Sequence, residues 1–136
     1  MVTTAKTVLI ADDDKLILST FRYALVQRGY KVLLAEDGAE AIGHLAQVPV
    51  DIVFLDILMP GKEGLETLLE IRKHFPSVPV HMMSGGGNRS KKDFLRVAQE
   101  FGATGTICKP VTAADLIKII EALPQSAASE SAPKTA

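Results

Sequence analysis

The chain has 136 residues, 47% of them apolar, which is enough for one well-buried core and too little for two ordinary domains. Fifteen basic and sixteen acidic residues leave a net charge of -1, which excludes a global field for nucleic acid or an anionic membrane. The single cysteine, Cys108, excludes an intramolecular disulfide and a multi-cysteine metal site, and the opening MVTTAKTVLIADDD is too acidic for a signal or membrane segment, so a reducing, cytoplasmic setting is expected.

Val8 to Ala11 reads as a strand that stops on Asp12, Asp13 and Asp14. From Lys15 the spacing turns helical, with Ile17, Phe21, Ala24 and Leu25 on one face, Asp14 as cap and Gly29 as stop. Val32 to Ala35 is a second strand, followed by a short helix with Gly38, Ala41, Ile42 and Leu45 on its inner face and Pro49 at its end. Ile52, Val53, Phe54 and Leu55 are consecutive, bulky and apolar, which suits an internal strand covered on both faces. It ends on Asp56, and Met59-Pro60-Gly61 then forces a turn that should present this carboxylate to solvent. A third helix is expected from about Gly64 to His74, with Leu65, Leu68 and Leu69 inward.

Pro76 and Pro79 lead into a fourth strand, Val80 to Met83, which ends in Ser84 and the loose run Gly85-Gly86-Gly87. Ser90 can cap a helix opened by Lys91 or Lys92 and carrying Phe94, Val97, Ala98 and Phe101, broken by Gly102 and Gly105. Thr106, Ile107 and Cys108 form a short fifth strand ending in Lys109-Pro110. Thr112 can cap a last helix with Leu116, Ile119, Ile120 and Leu123 inward, stopped by Pro124. Residues 1 to 123 thus form one domain, and 124 to 136, rich in Ala, Ser and Pro, are expected to be disordered. Five strands alternating with five helices predict an α/β fold, a doubly wound parallel sheet of flavodoxin-like order 2-1-3-4-5.

That order brings the ends of four strands to one rim: Asp12 and Asp13, Asp56, Ser84, and Lys109. Three gathered carboxylates repel one another, so the site needs a cation or must hold a proton. Hard oxygen donors without His or Cys point to Mg²⁺, with Mn²⁺ as substitute. A phosphoryl group on Asp56 would find the metal and Lys109 balancing its oxygens and the Ser84 hydroxyl donating to another.

In these motifs the chain resembles the receiver domains of bacterial two-component response regulators: the acid pair of LIADDD, the acceptor of VFLDILMPGKEG, the serine of MMSGG and the lysine of CKP. The likeness covers residues 7 to about 123. It implies that Asp12 and Asp13 hold Mg²⁺ together with Asp56 and the backbone carbonyl of Leu58. It further implies that Asp56 is phosphorylated, that Ser84 moves onto the phosphoryl group, that Lys109 pairs with it, and that the Lys109-Pro110 peptide is cis. Its partners would be a sensor histidine kinase or histidine phosphotransfer protein and an unknown downstream protein, with neither nucleic acid nor membrane. No output domain follows in the sequence, so a stand-alone phosphorylation switch is expected rather than an enzyme, one that assists its own phosphoryl transfer and dephosphorylation.

Two departures stand out. The family's aromatic three residues before the lysine is here Thr106, and three glycines follow Ser84. Asp12-Asp13-Asp14 also resembles haloacid-dehalogenase-like phosphohydrolases with Asp12 as nucleophile, but that reading leaves Asp56 idle and lacks a later acidic pair. The three acids oppose flavin binding at the first loop, and a degenerate receiver used only as an interaction module would not need the complete set. His44 and His74 are read as solvated or capping residues, His81 as a satisfied core histidine, Cys108 as an inert core thiol, and Arg89, Lys91 and Lys92 as a solvated face.

Overall fold

The computed structural model describes residues 5–57, 64–84 and 96–124. Within them β1 (Thr7–Ala11) leads to α1 (Lys15–Gln27), β2 (Lys31–Ala35), α2 (Gly38–Gln47), β3 (Ile52–Asp56), α3 (Gly64–His74) and β4 (Val80–Ser84). Helical residues 96–100 belong to α4, followed by β5 (Gly105–Cys108) and α5 (Ala113–Glu121). The five strands are parallel in the order β2-β1-β3-β4-β5, as the alternating pattern predicts.

The strands form because each is a short apolar run bounded by charge, Gly or Pro, and the central ones need cover on both faces. Side chains alternate accordingly. Val8, Ile10, Ile52, Phe54 and Met83 meet Leu18, Phe21 and Leu25 of α1 and Leu116 and Ile120 of α5. Leu9, Ala11, Val53, Leu55, Val80 and Met82 meet Ala41 and Leu45 of α2, Leu68 and Ile71 of α3, and Ala98 of α4. Each fully buried Leu, Ile or Phe contributes about 1.5–3 kcal/mol. Capping fixes the helix starts: Asp14 accepts from the Leu16 and Ile17 amides, Asp37 from Glu40, and Thr112 forms a capping box with Asp115.

Several expectations need correction. On α1 the buried stripe is Leu18, Phe21 and Leu25, with Ile17 and Ala24 only half-buried, because docking on the sheet rotates the face by one position. Leu69 is 48% exposed, and Thr67 and Ile71 take the buried positions of α3 instead. Gly105 lies in β5 rather than ending a helix, since a Cβ there would come within 2.7 Å of the His81 ring. Cys108 is exposed, because alternation sends its neighbour Ile107 into the core while β5 is an edge strand. His44 is half-buried in the last turn of α2, with its Nε2 2.9 Å from the Leu34 carbonyl on the edge strand β2. The Met59-Pro60-Gly61 turn, the glycine run, the Ser90 cap, Phe94, the Arg89-Lys91-Lys92 cluster and the tail from Gln125 lie outside the described residues. No helix among the described residues is long and apolar enough to cross a membrane.

Candidate functional site

Four strands end at the same rim, and main-chain hydrogen bonds just beyond them fix their relative positions. The Asp12 amide donates to the Ala35 carbonyl at 3.0 Å, which ties the end of β1 to β2. The Ile57 amide donates to the Met83 carbonyl at 2.9 Å, joining the residue after Asp56 to the residue before Ser84. The Lys109 amide donates to the Ser84 carbonyl at 2.7 Å. The side chains of this rim are therefore mounted on hydrogen-bonded strand ends and not on free loops.

The three successive acids take three positions. Asp14 caps α1. Asp13 is exposed at the rim. Asp12 is fully buried; its Oδ1 accepts the Asp14 amide at 2.9 Å and its Oδ2 receives Lys109 Nζ at 2.9 Å. Lys109 Nζ also reaches Asp56 Oδ2 at 3.2 Å, so one ammonium bridges two carboxylates. Oxygen atoms of Asp12, Asp13 and Asp56 all lie within 4.8 Å of one another.

Asp56 is only 5% exposed, which corrects the expectation that it would be presented to solvent. It closes β3, the strand with all five residues buried, and Lys109 lies against its carboxylate; neither is visible from the local sequence. Ser84, the last residue of β4, is buried as well. Burial pulls the Lys109 ammonium toward a lower pKa, but the hydrogen bond to Asp12 and the charges of Asp56 and Asp12 outweigh it and raise the value above that of an ordinary lysine. Lys109 is thus held as a cation.

Three hard oxygen donors in one cluster, with neither His nor Cys among them, fit a divalent cation of the Mg²⁺ type. Leu58, the further expected ligand through its carbonyl, lies outside the described residues. The Lys109-Pro110 peptide is cis. Thr106 is half-buried on β5 opposite Met82, where no ring is available. The sequence reading missed Gly64, whose amide donates to the Ile57 carbonyl at 3.0 Å; a glycine in place of a capping residue at a helix start was its only signal.

The response regulator receiver domain family matches residues 8–121. A CheY-like receiver domain protein from Methanospirillum hungatei JF-1 is 30% identical, with 87% of this chain and 92% of that one covered and a TM-score of 0.77. The chemotaxis protein CheY4 of Vibrio cholerae is 28% identical over 87% of this chain and 98% of that one, with a TM-score of 0.76. The receiver domain of NtrX from Brucella abortus is 34% identical over 84% of this chain and 94% of that one, with a TM-score of 0.75.

Proposed function

From the premise that the chain belongs to the response regulator receiver domain family, a family of two-component signal transduction and not of conventional enzymes, we propose that Asp56 is the residue that accepts a phosphoryl group. The observation that carries this reading is the Lys109 ammonium bridging Asp12 and Asp56 beside a third carboxylate, Asp13, at the carboxyl rim of the sheet. The donor is a phosphohistidine of a sensor kinase or phosphotransfer protein. An Asp56 carboxylate oxygen attacks phosphorus, the bond from phosphorus to the imidazole nitrogen breaks, and the departing imidazole takes a proton from solvent.

Each neighbour has a part in this step. Asp12, Asp13 and Asp56 would hold Mg²⁺, or Mn²⁺ in its place, with the Leu58 carbonyl as a further ligand; bound there, the ion supplies positive charge to the phosphoryl oxygens. Lys109 can pass from the Asp56 carboxylate to a phosphoryl oxygen without leaving Asp12, because it already spans both. The Ser84 hydroxyl, on the adjacent strand, donates to another oxygen. Relocating Lys109 and Ser84 changes the surface over β4 and β5, and that change is what a downstream protein reads.

The test is intact-mass measurement after incubation with acetyl phosphate and Mg²⁺. One phosphoryl group per chain is expected on the parent, and none on Asp56→Asn or in excess chelator. Full phosphorylation of Asp56→Asn would overturn the assignment, and a phosphoryl group on Asp12 would favour the haloacid-dehalogenase-like reading.

A further inference from the structure

We infer that Gly64 is a positioning residue for the acceptor aspartate, because the first turn of α3 packs its main chain directly against the Asp56-Ile57 peptide. A Cβ placed on Gly64 would stand 2.6 Å from both the Ile57 Cα and the Ile57 carbonyl oxygen, and closer still to the Asp56 carbonyl oxygen. All three are main-chain atoms, so no rotamer change can make room. The same Gly64 donates its amide to the Ile57 carbonyl at 3.0 Å, while the Ile57 amide donates to Met83 at 2.9 Å. Ile57, the residue that follows Asp56, is therefore held through its amide by β4 and through its carbonyl by the start of α3.

This clamp sets where the Asp56 carboxylate stands. The carboxylate has to meet Lys109 Nζ, now 3.2 Å away, while keeping an oxygen within 4.8 Å of Asp12 and Asp13. Any side chain at position 64 must push the Asp56-Ile57 main chain or the helix start outward. A misplacement of about 1 Å in a transfer site can cost about a hundredfold in rate. Gly64 touches neither phosphoryl group nor metal and acts through Asp56 alone. The inference deepens the proposed phosphoryl transfer and rests on it for one of its two readouts; the other, affinity for Mg²⁺ alone, does not depend on phosphorylation.

The experiment compares the parent chain with Gly64→Ala, with a semisynthetic chain bearing an ester in place of the Gly64 amide, and with Gly105→Ala. The ester deletes the N–H without adding bulk. Gly105→Ala adds the same methyl group against a side chain, the His81 ring 2.7 Å away, at the opposite end of the strands from the acids. Phosphorylation by acetyl phosphate is followed by intact mass and normalised to the folded fraction, and Mg²⁺ binding is followed by titration calorimetry. Gly64→Ala is expected to lower the rate at least about tenfold and to weaken Mg²⁺ at least about threefold, the ester to lower the rate about threefold, and Gly105→Ala to change neither. Parent rate and parent Mg²⁺ affinity in folded Gly64→Ala overturn the inference. Should Gly64→Ala fail to fold, parent values in the ester chain overturn it equally. A parent that takes no phosphoryl group, while Mg²⁺ binding still weakens in Gly64→Ala, refutes the proposed transfer and leaves the positioning role standing.

Discussion

The strand β3 is preceded by one buried aspartate and ends on another, and the two are partnered in opposite ways. Asp51 is 1% exposed and accepts the main-chain amide of Thr7 at 2.8 Å, a donor that cannot move without unpairing the strands. Asp56 faces the side-chain ammonium of Lys109, which it shares with Asp12 and which can swing toward a newly arrived oxygen. Burial alone therefore does not distinguish the proposed acceptor from its neighbour. The donors described differ in kind: one is fixed in the main chain, and the other is carried on a movable side chain with further negative charge beside it.

The contrast is sharpest in stability, where the two positions should respond with opposite sign. Asp51→Ala leaves the Thr7 amide without its acceptor and is expected to cost about 1–3 kcal/mol in denaturant unfolding, while phosphorylation of Asp56 proceeds. Asp56→Asn, measured in chelator, is expected to raise the unfolding midpoint, because three acids crowd one lysine and the change relieves repulsion. Equal losses at the two positions would break the comparison.

A smaller effect concerns how long a phosphoryl group on the proposed acceptor would last. Hydrolysis of an acyl phosphate needs a water held in line with phosphorus, and the resemblance to receiver domains points to the positions two residues beyond Asp56 and Ser84 for orienting it, here Leu58 and Gly86, neither with a side chain that can hydrogen-bond a water. Leu58→Asn combined with Gly86→Glu should hasten decay of the phosphorylated chain in Mg²⁺ about tenfold, equivalent to about 1.4 kcal/mol of barrier. Identical decay curves would show that these two side chains do not set the lifetime.

The smallest effect lies at the amino-terminal end of β4, away from the acids. Burial holds the His81 imidazole below its usual pKa, against the Phe54 ring at a centroid distance of 5.9 Å and over Gly105. A histidine kept neutral by folding contributes stability that is complete above the unfolded value of about 6.5 and is lost as the pH falls from there toward the lowered folded value. Between pH 7.5 and 5.5 the parent should lose ~1–2 °C more in Tm than His81→Gln. The same pH response in both would place the acid sensitivity elsewhere.

The ends of the strands were legible because an apolar run that stops on Asp12, Asp56, Ser84 or Lys109 carries its own boundary, and strand order then gathers those ends. Phase and exposure were less so. Periodicity draws a stripe on α1 but cannot choose between Ile17 and Leu18, because the sheet surface decides how the helix is rolled. Cys108 sits in an apolar run that suits a strand buried on both faces, yet β5 has a neighbour on one side only. The role of Gly64 is set by the approach of two main-chain segments, which no residue pattern announces.

The bond between Lys109 and Asp12 joins positions 97 residues apart, and it bears on how the chain is made. During synthesis from the amino terminus, all three acids emerge well before the lysine. A nascent chain that ends before β5 holds the crowded carboxylates without the ammonium that bridges them, and its sheet lacks an outer strand. Docking of the last strand therefore does two things at once: it completes the sheet and neutralises the rim. The ammonium reaches the rim only once β5 has paired with β4, so the charge imbalance persists until the domain is whole, and a chain that stops before β5 never acquires the bridged site.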